Sequence, residues 1–132
     1  MDIRESAQDY LETILILLEK KKCVKSIDVA KEMNVTKQSV HRAIKNLKEE
    51  EYINVDEKGH ITFNEKGEII AKETYEKHNI LASFFMMLNV PKDIAFTDAC
   101  KIEHDISKES FSAIKEIVNS NGELLKNLKK DK

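Results

Sequence analysis

Ser26-Ile27-Asp28-Val29-Ala30-Lys31-Glu32-Met33-Asn34-Val35-Thr36-Lys37-Gln38-Ser39-Val40-His41-Arg42-Ala43-Ile44-Lys45-Asn46-Leu47-Lys48 is the stretch that decides the fold. Ile27, Val29, Ala30 and Met33 recur at helical intervals. Ser26 is the expected N-cap, and Asp28 sits in the first turn, where a carboxylate favours the helix dipole. Asn34 suits the left-handed conformation that ends a helix, and Val35 can plug the core behind it. Thr36 then caps a second helix over roughly residues 36–50. Helix, tight turn and helix within about twenty residues make a helix-turn-helix.

The second of these helices has a divided surface. Val40, Ala43, Ile44 and Leu47 form a stripe to bury. Gln38, His41, Arg42 and Lys45 lie opposite, flanked by Lys37 and Lys48, and no acid appears before Glu49. Gln and Arg read base edges bidentately, and Lys pairs with phosphates. With Ser26, Thr36 and Ser39 these residues are the candidate DNA contacts on the two helices. An ordinary solvated helix face is the competing reading.

Outward from here, Tyr52-Ile53-Asn54-Val55 and His60-Ile61-Thr62-Phe63 alternate around Asp56-Glu57-Lys58-Gly59. That pattern predicts a β-hairpin with Gly59 in its turn. A hairpin after a helix-turn-helix is a wing, and Lys58 near its tip is a candidate phosphate contact. Upstream, Ala7, Tyr10, Leu11, Ile14, Leu15 and Leu18 give one apolar face to a helix over 4–21. Asp9 and Glu12, at i and i+3, point away from that face; a solvated acidic pair is the plain reading.

Downstream, a long helix is predicted over residues 65–88, with Ile70, Thr74, Leu81, Phe84, Phe85 and Leu88 on its apolar face and His78 at the edge. Val90-Pro91 breaks the chain. Asp98-Ala99-Cys100-Lys101-Ile102-Glu103-His104 follows, with Cys100, Glu103 and His104 at i, i+3 and i+4 on one helix face, opposite Ala95, Ala99, Ile102 and Ile106. Thiolate, carboxylate and imidazole are ligand types suited together to a borderline transition metal. Otherwise Cys100 is a small apolar filler, and Glu103 and His104 are solvated surface. Ser107 caps a helix through Phe111, Ile114, Ile117 and Val118. Asn119-Ser120-Asn121-Gly122 reads as a turn, with Leu124, Leu125 and Leu128 in a short final helix or tail.

The composition agrees with a mostly helical chain of 132 residues: Gly 3, Pro 1 and 6% aromatic. A net charge of −2 excludes polyanion binding by bulk charge and confines it to a local patch. Two cysteines far apart, Cys23 and Cys100, give no disulfide framework. The opening residues lack the apolar core of a signal peptide, and no uncharged run is long enough to span a membrane. A cytoplasmic protein is expected.

Asp9/Glu12, His78 and Cys100/Glu103/His104 are thus metal signals on three helices. Here the chain resembles the diphtheria toxin repressor family, which includes the manganese transport regulators. The resemblance runs from Ser6-Ala7-Gln8-Asp9-Tyr10-Leu11-Glu12 to about Val118 and rests most on Asp9-Tyr10-Leu11-Glu12, His78 and the Cys100-to-His104 segment. It implies a homodimeric, metal-activated repressor of metal-homeostasis genes that binds double-stranded operator DNA. It implies a winged-helix DNA-binding domain over 1–70 and a helical metal-binding and dimerisation domain over 71–132. It also implies metal ligation by Asp9, Glu12, His78, Cys100, Glu103 and His104. The ligand set is a hybrid. Iron-responsive members carry a cysteine at the place of Cys100, and manganese-responsive members carry an aspartate at that of Asp9. Fe(II) or Mn(II) is the expected metal, with Co(II) and Zn(II) as in-vitro substitutes. The iron-type ancillary site needs a carboxylate and a histidine where this chain has Ala82 and Phe96, so its absence is expected. The length suits the short two-domain members.

Other classes weighed on the residues are a metal-independent winged-helix regulator, with Cys100 as a thiol sensor or idle, and a winged helix used only for protein contacts. A metalloenzyme with Glu103 as general base is a further class. No small organic substrate, membrane or catalytic activity is expected.

Overall fold

The computed structural model describes residues 5–130, with side chains through Ser120. The chain order is α1 (Glu5–Lys20), α2 (Ser26–Met33), α3 (Lys37–Glu49), β1 (Ile53–Val55), β2 (Ile61–Phe63), α4 (Glu65–Met87), α5 (Lys92–Ile102) and α6 (Lys108–Lys130). The chain forms two compact units that part between Thr74 and Tyr75, within α4.

In the first unit α1, α2 and α3 pack pairwise, and α3 also meets β1. Leu11, Ile14, Leu15 and Leu17 of α1 are buried, as are Val29 and Ala30 of α2 and Val40, Ile44 and Leu47 of α3. The turn between α2 and α3 forms as its residues predict. Asn34 is left-handed (φ 55°, ψ 50°), and the Val35 N–H closes back on the Ala30 carbonyl at 3.1 Å. Thr36 Oγ1 accepts from the Ser39 N–H at 3.1 Å and so caps α3.

Ser26 is not the cap of α2; it is the first helical residue, and Lys25 holds the N-cap position. The reason is Asp28, whose carboxylate reaches back to the Lys25 N–H at 2.8 Å and so satisfies a donor that the helix leaves open. Lys21 Nζ, 2.7 Å from the same carboxylate, completes the arrangement.

The wing is a two-stranded antiparallel hairpin pairing Ile53 with Phe63, Asn54 with Thr62 and Val55 with Ile61. Gly59 takes φ 86° in its loop, a conformation that a side chain would disfavour. Asp56 ties the loop by accepting from the Lys58 and His60 N–H groups at 2.9 and 2.8 Å. The same two bonds, led by that from His60, hold the Asp56 carboxyl below its usual range. A bond from the Ile61 N–H to the Val24 carbonyl at 2.8 Å anchors the hairpin to the segment after α1.

In the second unit Leu81, Ala82, Ala99 and Phe111 are buried together, with Ile80, Phe96, Ile102, Ile106 and Ile114 around them. Leu88 departs from the expected apolar face: it lies beyond α4 and is 60% exposed. The expected turn at Asn119–Gly122 is absent, because α6 continues through it. The side chains of Leu124, Leu125 and Leu128, and residue 4, lie outside the described set.

Candidate metal centre and nucleic-acid interface

The second unit gathers three of the expected ligands. His78 comes from α4. Glu103 follows the last turn of α5 as its C-cap, and His104 is the next residue, in the turn. His78 Nδ1 lies 3.1 Å from Glu103 Oε2, and His104 Nε2 lies 3.4 Å from Glu103 Oε1. Glu103 is 1% exposed, and its Oε1 makes no hydrogen bond among the described residues. A carboxylate so buried is costly unless a positive charge offsets it. Two imidazoles beside it, one on each oxygen, are donors that a divalent transition metal takes. The residues present therefore fit such an ion.

This overturns the idea that Glu103 and His104 are solvated surface. It also alters the picture of one helix face. α5 ends at Ile102, and Cys100, still on the helix, is exposed while Glu103 is buried. Phe96 was not expected to matter. Its ring packs on His78 with centroids 5.3 Å apart at 49°, which limits the imidazole's orientation. Ala82 is in the core, with Phe96 packed around it.

In the first unit, α1 brings Asp9 and Glu12 onto neighbouring positions one turn apart. They are not the solvated pair of the plain reading: Glu12 is buried, at 9% exposure, and Asp9 is half-buried. The helical period misses this because it locates the stripe that must be buried and is silent on what else becomes covered.

The candidate DNA contacts are placed as follows. Lys37, Gln38, Ser39, His41, Arg42, Lys45 and Lys48 are all exposed on α3, and Lys58 is exposed in the hairpin loop. Val40, Ile44 and Leu47 turn inward, so packing holds the polar face outward. Thr36 is exposed and spends its hydroxyl on the cap; Ser26 is half-buried at the start of α2.

A helix-turn-helix with a hairpin wing, joined to a helical unit in which a buried glutamate lies between two histidines, defines a winged-helix regulator with a metal-binding second half. Comparison with known proteins says which. Residues 2–61 match the family described as "Iron dependent repressor, N-terminal DNA binding domain", and residues 64–123 match "Iron dependent repressor, metal binding and dimerisation domain". The regulator MntR of Listeria monocytogenes serotype 4a (strain HCC23) is 30% identical over 113 residues, spanning 86% of this chain and 80% of that protein. The regulator MntR of Escherichia coli O6:H1 is 29% identical over 119 residues, spanning 90% and 77%. The structure of the manganese regulator SloR superposes with a TM-score of 0.76 at 27% identity and covers 90% of this chain. The chain spans only 55% of SloR. The chain belongs to the iron-dependent repressor family, that of the diphtheria toxin repressor, and is a metal-dependent DNA-binding transcriptional repressor.

Proposed function

We propose that this repressor binds Fe(II) or Mn(II) through Asp9, Glu12, His78, Cys100, Glu103 and His104, and operator DNA as a homodimer. Ser26, Thr36, Lys37, Gln38, Ser39, His41, Arg42, Lys45, Lys48 and Lys58 meet the DNA. Residues 1–70 serve as the reading head, and residues 71–132 as the metal-binding and dimerising half. It acts in the cytoplasm on metal-homeostasis genes and is not an enzyme. The observation that carries the reading is Glu103, buried with an imidazole 3.1 Å from one oxygen and another 3.4 Å from the other.

Asp9, Glu12 and Glu103 are like charges that repel when brought together. A bound cation supplies the positive charge that offsets this repulsion. His78 and His104 must be neutral and Cys100 a thiolate to ligate, so affinity falls in acid. Cys100 favours Fe(II), Co(II) or Zn(II), whereas the three carboxylates suit Mn(II); the relative SloR is a manganese regulator. Joining Asp9 and Glu12 to the second unit's ligands fixes two recognition helices at about 34–36 Å, the spacing of successive major grooves. A coupling of about 1–3 kcal/mol raises operator affinity roughly 5–150-fold. The metal-independent alternative leaves the buried Glu103 and its two imidazoles without a role.

Calorimetric titration with Mn(II), and with Fe(II) without oxygen, tests the ligand set. Glu12→Gln and His78→Ala should each weaken binding by tenfold or more. Undiminished affinity in both variants would overturn the set.

A further inference from the structure

The face between α2 and α3 holds one residue that charge does not explain. Ile27, the second residue of α2, is 46% exposed. It borders an open hollow of about 530 Å³ lined also by Ser26, Lys37, Gln38, Val40 and His41. Val40 is buried, so the hollow has an apolar base, and the exposed side chains of Lys37, Gln38 and His41 stand around it. An exposed isoleucine beside cationic and amide side chains, at the mouth of an apolar-based hollow, is a fitting surface for the edge of a base. Among the four bases only thymine presents a methyl group in the major groove. Gln is suited to the adenine paired with it, and Lys to the flanking phosphates.

We propose that Ile27 and the adjoining hollow receive the 5-methyl group of a thymine, in or beside the A·T pair that Gln38 reads. Ile27 is then a specificity-determining residue, contributed by the helix before the recognition helix. The proposal rests on the reading of α3 as the DNA-reading element.

The test begins with duplexes selected from a randomised pool by the full chain in Mn(II). In the selected duplex each thymine is replaced in turn by uracil, which pairs identically but lacks the methyl group. At one position per half-site the wild-type protein should lose about fourfold in affinity, the equivalent of roughly 0.8 kcal/mol for one buried methyl-sized group. Ile27→Ser should bind the thymine and uracil duplexes alike. Lys37→Ala should weaken both equally and keep the preference. Indifference of the wild type to uracil everywhere would overturn the proposal, as would an undiminished preference in Ile27→Ser. Failure to select any duplex would instead strike the reading of α3.

Discussion

Glu103 shows how one residue's setting changes its meaning. In the sequence it is an acid three places after a cysteine; in the fold it is buried between two imidazoles. Glu103→Gln keeps the shape and removes the charge. Without metal the variant should be at least as stable as the wild type, because a neutral amide is cheaper to bury than a carboxylate. With metal at about 100 times Kd the wild type should gain about 2.7 kcal/mol, and the variant under 1 kcal/mol. Thermal unfolding with and without Mn(II) checks both. Asp28 belongs to the same scale. The ammonium of Lys21 and the Lys25 N–H hold its carboxyl below the usual range. Asp28→Ala should cost about 1 kcal/mol at neutral pH, since Lys21 is largely exposed and its pairing is screened. The folded pKa is the lower one, so the contribution is complete above the unfolded value of about 3.9 and is lost as pH falls through the folded value. Urea midpoints of the two proteins should therefore converge in acid. The residue types of the candidate metal centre were legible in the sequence; the burial of Glu12 and Glu103 was not. A helical period reports which stripe seeks the core, yet Glu12 and Glu103 are buried without belonging to one.

At the level of elements, the turn chemistry was readable because its signals are local. Asn34 and Thr36 each act within five residues, and Gly59 within a single loop. What escaped depends on contacts between segments or on cumulative backbone bonding. Gly67, inside α4, is buried against the backbone of Tyr52; a Cβ there would overlap the Tyr52 carbonyl oxygen. The same carbonyl accepts from the Asn64 N–H at 3.0 Å, and Lys66 Nζ lies 4.4 Å over the Tyr52 ring. The first turn of α4 is thus seated on the start of the wing. Gly67→Ala improves helix propensity by about 1 kcal/mol, but the overlap should win, with a net loss of about 1–3 kcal/mol in urea unfolding. α6 teaches the converse. Asn-Ser-Asn-Gly has turn composition, yet α6 runs through it. One interior glycine costs about 1 kcal/mol, and uninterrupted hydrogen bonding on both sides outweighs that.

At the scale of the whole molecule, the fold was largely written in the sequence, as was the polar face proposed to meet DNA, since α3 combines a buried stripe with a run of exposed cations. The proposed metal switch was not: its proposed ligands lie far apart in the sequence with no periodicity to link them, and they came into view through the family resemblance. Exposed Leu88, Ile94 and Ile117 in the second unit offer apolar surface for a second copy, consistent with a dimerisation domain. The most direct measurement is fluorescence anisotropy of a selected operator duplex, titrated with the protein in Mn(II), in anaerobic Fe(II), and in chelator. Affinity should be roughly 5–150-fold higher with the effective metal. Both affinities should fall steeply with salt. Equal affinity in metal and in chelator would contradict the account.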